Sequence, residues 1–261
     1  GLSAQTCGNG LSTYTLTASY PFYSWEVTGG RITDGGSSSD NFVTVLWNSI
    51  PQGRIEVTVT NESGCQGSLA ANIQIFNVAG TISDITNMTC NSEPSGSVTV
   101  AAVAGTGLPP YEYSLDGGTF QLSGTFTGLS AGNHIVIVKD ALLCTDELAF
   151  TITQPQVMTA YITGTKNVSC FGGSDGSVTV SASGGLPPYV YSIDGGPFSG
   201  SNVFTGIAKG SYVITVRDQN SCETVVPATL TQPPFPLIAS ATAVDVLCHG
   251  ESTGSIDLTV T

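Results

Sequence analysis

The seven cysteines are the chemically reactive residues of this chain with the most regular spacing. Cys90, Cys170 and Cys248 follow one another at intervals of 80 and 78 residues. No two cysteines have Cys-x-x-Cys spacing and the chain has only 2 histidines, so these residues do not suit a zinc site. In an acidic, lysine-poor chain, the cysteines instead predict disulfides and an exported, oxidising location.

Two disulfide pairings fit the spacing. Pairing within modules gives Cys7–Cys65, Cys90–Cys144 and Cys170–Cys222, and leaves Cys248 unpaired in this sequence. Pairing between modules gives Cys65–Cys90, Cys144–Cys170 and Cys222–Cys248, and leaves Cys7 alone. We prefer the first because each module has one cysteine before its second strand and one after its sixth. In a seven-strand sandwich, however, those two positions can lie at opposite ends.

Recurring carboxylates are the candidates for a metal site. Asp140 and Asp218 each precede a cysteine by four residues, and Asp116 and Asp194 each precede Gly-Gly. Calcium favours clustered oxygen ligands, so it is the ion these loops could hold. Aspartate also starts turns by accepting hydrogen bonds from nearby backbone N–H groups, and no loop carries three carboxylates at alternating positions. The turn-forming role is preferred, and no cofactor is expected.

Histidine chemistry is not supported by the sequence. His134 lies ten residues before Cys144, and the same position is Tyr212 before Cys222 and Ile55 before Cys65. A position that accepts all three side chains predicts packing, with a hydrogen bond from a ring to nearby backbone, and not a catalytic base. His249 follows Cys248 where the other repeats carry Asn or Phe. Without a usable histidine or a Gly-x-Ser-x-Gly motif, no hydrolytic triad can be assembled, and the chain is predicted not to be an enzyme.

An aromatic motif recurs three times, and the strands it predicts have to position the cysteines, aspartates and histidines described above. It covers residues 21–30, 109–118 and 187–196, and reads Pro-x-Tyr-x-aromatic-x-aliphatic-x-Gly-Gly. Spacing by two places the rings on one face of a strand, and Gly-Gly permits a tight reversal. A sugar-stacking platform is the alternative to core packing. Because aliphatic residues follow at the same spacing, core packing is preferred for Trp25, Tyr113, Tyr191 and also Trp47.

The composition favours strands and turns throughout. The sequence has 32 glycines and many Val-Thr-Val runs, and no window has apolar residues at helical spacing. The repeats predict four modules, at 1–78, 79–156, 157–235 and 236–261, the last being the start of a further, truncated repeat. The alternation in the first module predicts strands over 11–17, 23–27, 41–47, 54–60 and 69–76. We therefore predict an all-β fold of tandem immunoglobulin-like sandwiches in an extended array.

The charge excludes several classes of partner. The formal net charge is −13 and only 6 residues are Lys or Arg. Such a chain lacks the basic surface that binding to nucleic acids or to anionic lipids requires. No apolar run reaches transmembrane length. Neither nucleic-acid binding nor direct membrane insertion is expected.

Residues 79–261 resemble SprB-type repeats, which occur in very large surface proteins of gliding Bacteroidota. The resemblance rests on Cys170, Gly176–Val180, Gly185–Tyr189, Tyr191–Gly196, Phe204–Gly206, Gly210–Val213, Val216–Asp218 and Cys222. Residues 1–78 are similar to a PKD-like domain through Tyr23-Ser24-Trp25, Gly29–Ile32, Val45-Leu46-Trp47 and Gly64-Cys65.

The resemblance implies a function that the composition alone does not. It implies a stalk or filament segment of a secreted adhesin, exported by the type IX system, attached at the outer membrane and serving gliding motility or surface attachment. The implied partners are neighbouring repeats of the same chain, surface polysaccharide or other surface proteins. A carbohydrate-binding module array and the accessory region of a large secreted hydrolase are the alternatives.

Overall fold

The regular secondary structure of the described chain consists of strands alone. The computed structural model describes residues 5–48 and 51–261, which contain 21 strands and no helix. In this part of the chain, no helix has the length and apolar character needed to span a membrane. The chain divides into two compact units. The first runs to Met88 and includes Ser92–Thr153, and the second comprises Thr89–Asn91 and Gln154–Thr261.

The first sandwich has seven strands. They are β1 (Gln5–Cys7), β2 (Leu11–Thr15), β3 (Phe22–Thr28), β4 (Gly30–Gly35), β5 (Phe42–Trp47), β6 (Gln52–Thr60) and β7 (Gln66–Phe76). One sheet has the order β1-β7-β6-β3 and the other β2-β5-β4. Strand β5 shows why this sequence forms a sandwich, since Val43, Val45 and Trp47 are fully buried while the residues between them are partly exposed. The sequence did not predict β1 or β4.

The second and third sandwiches have six strands each, in matching order. The second contains β8 (Gly80–Thr86), β9 (Gly96–Ala102), β10 (Glu112–Leu115), β11 (Thr125–Leu129), β12 (Gly132–Lys139) and β13 (Thr145–Ile152). The third contains β14 (Thr159–Lys166), β15 (Gly176–Ser183), β16 (Val190–Ile193), β17 (Val203–Ile207), β18 (Gly210–Arg217) and β19 (Glu223–Leu230). The sheets are β11-β9-β8 and β10-β12-β13 in the second, and β14-β15-β17 and β16-β18-β19 in the third. The prediction of immunoglobulin-like β-sandwich modules is confirmed.

Each sandwich encloses its own apolar core. The four predicted core aromatics are all buried, with at most 8% of each residue exposed: Trp25, Trp47, Tyr113 and Tyr191. The indole Nε1 of Trp47 donates a hydrogen bond to the hydroxyl of Tyr14 at 3.1 Å, so its one polar atom is paired inside the core. The aromatic motif is therefore the packing strand of each sandwich.

The last two strands form an isolated antiparallel pair. Strand β20 (Ala239–Val244) pairs with β21 (Ser255–Val260), and every residue of both strands is exposed. In the second and third sandwiches, β9 and β15, which match β21, bury alternate residues against a second sheet.

Candidate functional site

The cysteine-bearing turn between the last two strands of the second sandwich is built around a buried carboxylate. Asp140 Oδ1 accepts hydrogen bonds from the backbone N–H groups of Leu142 and Cys144, both at 2.9 Å. Its Oδ2 accepts the N–H of Leu108, also at 2.9 Å. Leu143 has a φ of 66°, so the turn holds a non-glycine residue in the left-handed region just before the cysteine. The carboxylate fixes where the cysteine points.

The third sandwich repeats this geometry. Asp218 Oδ1 accepts the N–H groups of Asn220 at 2.8 Å and Cys222 at 2.9 Å, and its Oδ2 accepts the N–H of Leu186 at 2.9 Å. Asp140 and Asp218 are only 2% and 4% exposed, so these three bonds are what makes a buried carboxylate tolerable in each sandwich.

The first sandwich has the same turn with an amide in place of the acid. Asn61 Oδ1 accepts the N–H groups of Ser63 at 3.0 Å and Cys65 at 2.9 Å. Gly64 takes the left-handed position with a φ of 80°. We call residues 61–65, 140–144 and 218–222 the Cys turns.

The other two calcium candidates also bond to backbone. Asp194 Oδ1 accepts the N–H of Val213 at 2.8 Å, and Asp116 Oδ1 accepts that of Ile135 at 2.8 Å. All four candidate carboxylates thus shape turns, and the described residues hold no group of three or more His, Cys, Asp or Glu side chains that could bind a metal ion. The sequence analysis preferred the turn-forming role for these aspartates, and calcium binding stays the alternative hypothesis.

The structure corrects the disulfide assignment. Cys7 is bonded to Cys144, with Cα atoms 5.3 Å apart, and Cys90 to Cys222, with Cα atoms 5.6 Å apart. The preferred pairings Cys7–Cys65, Cys90–Cys144 and Cys170–Cys222 are therefore wrong, and so are the alternatives Cys65–Cys90, Cys144–Cys170 and Cys222–Cys248.

The physical reason is the position of the Cys turn in a sandwich. The cysteine before the second strand and the Cys turn of the same module lie at different ends, so neither can reach the other. In the first unit, Cys7 and Phe76 instead pack against the core of the second sandwich, next to the Cys turn at 140–144. The first cysteine of one module therefore bonds to the Cys turn of the following module.

The second disulfide has polar support. The side-chain amide of Asn220 donates to the carbonyl of Thr89 at 3.0 Å, and that of Asn91 donates to the carbonyl of Pro155 at 2.9 Å. Residues 89–91 belong to the second unit, and these two bonds join the residues on either side of Cys90 to the rest of that unit. Three exposed cysteines of the described chain keep free thiols: Cys65, Cys170 and Cys248.

In two copies of the aromatic motif, the hydroxyl of the first tyrosine bonds to the backbone of the loop that precedes the motif strand. Tyr111 and Tyr189 each follow a cis Pro-Pro peptide bond. Their hydroxyls donate at 2.6 Å to the carbonyls of Thr106 and Gly184, five residues upstream. These hydroxyls bond within the loop and the next aromatic of each motif is buried, so the structure supports core packing for the buried rings.

His134 lies where the repeat comparison places it, on strand β12. Its Nδ1 is 2.7 Å from Asp116 Oδ2, and its Nε2 is 3.0 Å from the carbonyl of Ser130. The ring also stacks on Phe150, with centroids 5.5 Å apart. The hydrogen bonds that the ring donates to the carboxylate of Asp116 and to the carbonyl of Ser130 raise the pKa of His134. The histidine is thus held by its own module.

The comparisons with known proteins identify the repeats. Residues 82–120, 162–198 and 240–261 match the SprB repeat family. The chain carries SprB repeats at these three segments, as the sequence motifs predicted. No curated protein matches the chain.

Solved structures resemble the chain in fold alone. The N-terminal eight immunoglobulin domains of Down Syndrome Cell Adhesion Molecule share 12% identity over 88% of this chain and 35% of that one, with a TM-score of 0.38. The C-terminal fragment of intimin shares 14% over 66% and 68%, with a TM-score of 0.38. The fibronectin(III)-like modules of Clostridium thermocellum CbhA share 14% over 59% and 95%, with a TM-score of 0.28. The chain spans about a third of the first of these structures.

Proposed function

We propose that this chain is a structural repeat segment of a secreted cell-surface adhesin. Its SprB repeats would serve as a stalk or filament that holds a binding region away from an outer-membrane attachment, for surface attachment or gliding. The observation that carries the proposal is the bonding of one module's first cysteine to the next module's Cys turn. A stalk has to transmit tension without unravelling, and these bonds do that covalently.

The two disulfides interleave along the chain, and this limits how far it can be stretched. Without them, the chain from Cys7 to Cys222 contributes about 215 residues, or roughly 750 Å when fully extended. With both in place, the shortest covalent path crosses both bonds and uses only the segment from Cys90 to Cys144. That segment is about 54 residues, or roughly 190 Å.

Single-molecule stretching of the whole chain, held by thiol-free tags at its two ends, tests this role. We expect the oxidised protein to extend about 560 Å less than the same protein in dithiothreitol. Equal extension in both states would mean that the bonds do not carry tension, and the stalk proposal would fail.

The surface location needs a separate test on cells that make the protein. A reductant and a maleimide that cannot cross membranes should label Cys7, Cys90, Cys144 and Cys222 on intact cells. Maleimide without reductant should leave these four unlabelled, because they are disulfide-bonded. Labelling only after lysis would place the protein inside the cell and contradict the proposal.

The proposed role is not catalytic. In the described chain His134 contacts only its own module, and the acidic groups considered above bond to backbone N–H groups. The proposed partners are neighbouring repeats, and surface polysaccharide or surface proteins at the distal binding region.

A further inference from the structure

Cys170 occupies the position that is bonded in the two preceding modules. Cys7 and Cys90 each lie ahead of the second strand of a module and bond to a Cys turn 137 and 132 residues further on. Cys170 lies between β14 and β15 as Cys90 lies between β8 and β9. Its thiol is free and exposed.

A cavity beside Cys170 and one beside Cys7 each lie between a cysteine and the junction to the next module. The cavity at Cys7 has a volume of about 490 Å³, and one wall consists of Leu143, Cys144 and Thr145 from the following module's Cys turn. The cavity at Cys170 has a volume of about 320 Å³ and is lined by Phe171, the junction 233–237 and Thr261. No Cys turn lines this second cavity, although Thr261 brings the end of the β20–β21 pair to its edge.

The β20–β21 pair presents an apolar face next to this cavity. Directly paired residues of two antiparallel strands share a face. The register pairs alanines with larger aliphatic residues on one side of the ribbon: Ala239 with Val260, Ala241 with Leu258 and Ala243 with Ile256. The other side is mostly polar, with Ser240, Thr242, Ser255, Asp257 and Thr259. A ribbon with this pattern is suited to packing against a second sheet on its apolar side, while its polar side faces solvent.

The matching residues of the complete modules show what that cover is. Ile256 and Leu258 are 73% and 65% exposed, whereas Val178 and Val180 in the same slots of β15 are fully buried. In the third module these valines pack against residues of β16, β18 and β19, among them Tyr191, Ile214 and Val216. The cover is therefore the second sheet of a repeat, and that sheet carries the Cys turn.

We propose that Cys170 and the apolar face of β20–β21 together form an acceptor for the C-terminal half of an SprB-type repeat. The occupant has the sequence character of residues 184–232: an aromatic motif strand, two further strands that alternate apolar residues, and an Asp-x-x-x-Cys turn between them. Its sheet covers β20–β21, and its cysteine bonds to Cys170 and not to Cys248. The inference concerns recognition between repeats and is independent of the cell-surface location proposed above.

The bond forms by oxidation of two thiols. The sulfur of Cys170 and that of the incoming cysteine each lose one proton and one electron as the S–S bond forms. A small disulfide oxidant such as oxidised glutathione takes up the two electrons and two protons and is released as two thiols.

The test is an extended chain in which a copy of residues 184–232 follows Thr261 directly. The matching strand β15 ends at Ser183, so this copy continues the fourth repeat in the register of the third. After refolding in a glutathione redox buffer, peptide mapping without reduction should find the added cysteine bonded to Cys170. The extended chain should then have one fewer free thiol than the three of the parent. Amide exchange in β20 and β21 should slow about 100-fold or more, because a covered sheet opens less often.

Two variants of the extended chain make the assignment specific. Cys170→Ser should abolish the new bond and leave the added thiol free, while amide exchange in β20–β21 stays slow. Cys248→Ser should leave the bond unchanged. A bond from the added cysteine to Cys248, or an added thiol that stays free in the extended chain, would overturn the proposal. Amide exchange as fast as in the parent would overturn the part that concerns the apolar face.

Discussion

The second and third sandwiches share a framework, and one polar slot shows how they differ. Both hold a buried aspartate in the Cys turn, with three backbone N–H groups bonded to it. On β12 the side chain four residues after Ser130 is His134, and on β18 the side chain four residues after Ala208 is Tyr212. Both reach the carbonyl four residues upstream, at 3.0 and 2.8 Å. The repeats conserve a hydrogen bond in this slot while exchanging the ring that makes it.

The comparison separates what a repeat needs from what it tolerates. The buried carboxylate satisfies backbone groups that no other side chain reaches, so the same residue type occurs in both sandwiches. The position of His134 on β12 and Tyr212 on β18 needs only a ring that can donate a hydrogen bond to the carbonyl four residues upstream. One exchange nevertheless has a consequence, because histidine titrates near neutral pH and tyrosine does not.

Removing either disulfide should cause the largest loss of stability, and the two losses should be about equal. Cys144→Ser opens a loop of 137 residues and Cys222→Ser one of 132, so the chain-entropy model gives about 5 kcal/mol for each. Denaturant unfolding followed by amide exchange in each sandwich would measure the loss. Cys65→Ser, at a free exposed thiol, is the matched control and should change stability by less than about 0.5 kcal/mol. A clear loss for only one of the two bonds would break the equivalence of the two modules.

Replacing the turn carboxylates should have the next largest effect. Asp140→Ala and Asp218→Ala each leave three backbone N–H groups without an acceptor in a buried site, at a cost of about 3 to 5 kcal/mol. The matched replacement by Asn should cost about half as much, since Asn61 makes the two turn bonds in the first sandwich. Thermal unfolding of the four variants measures this. An Asn variant as unstable as the Ala variant would show that the charge, and not the acceptor geometry, is what matters.

The histidine should make the second sandwich alone sensitive to pH. With both ring nitrogens facing acceptors, the imidazolium satisfies Asp116 and the carbonyl of Ser130 together, which raises the pKa of His134. Burial raises the pKa of Asp116, but the bonds from His134 and from the N–H of Ile135, with the imidazolium charge, lower it by more. The stabilisation by His134 is complete below its ordinary pKa of about 6.5 and is lost as the pH rises through the folded value.

The contribution of Asp116 has the opposite dependence, since it is present above its ordinary pKa and is lost as the pH falls through the lowered value. Because 47% of the Asp116 side chain is exposed, the combined effect should stay below about 1 kcal/mol. Amide exchange of β12 measured at pH 5 to 8 and corrected for intrinsic rates should show opening that becomes easier with rising pH. His134→Tyr, which copies the third sandwich, should remove this slope. A slope that survives the substitution would assign it to another group.

The strands and cores followed from local pattern, and the cysteine pairing did not. Alternation of period two identified β5, and the repeated slot of Trp25, Tyr113 and Tyr191 identified the packing strand, because both depend only on neighbours in sequence. Strand β4 was missed since Gly30 and Gly35 read as turn residues, while pairing with β5 makes this segment a strand.

The pairing depends on which ends of consecutive modules face each other. Loop lengths do not reveal this, because they are nearly equal within each assignment that the spacing allows. One signal was available. In a seven-strand sandwich the two cysteines of a module can lie at opposite ends, and this geometry, applied across a junction, is compatible with Cys7–Cys144. The role of Asp140 could likewise be predicted as a turn former, but the third bond, from Leu108, comes from a loop 32 residues away and is visible only in the fold.

The interleaving of the two disulfides also decides what a protease can do to this chain. The bonds divide the sequence between Cys7 and Cys222 into three stretches, which meet at Cys90 and Cys144. A backbone cut in any one stretch leaves every part attached, and so does one cut in each of two different stretches, because the remaining stretch still joins the two bonded pairs. With one cut per stretch, only cuts in all three stretches separate the two bonded pairs. Molecules nicked once or in two different stretches between Cys7 and Cys222 would therefore stay covalently joined in a medium rich in proteases until a reductant is added.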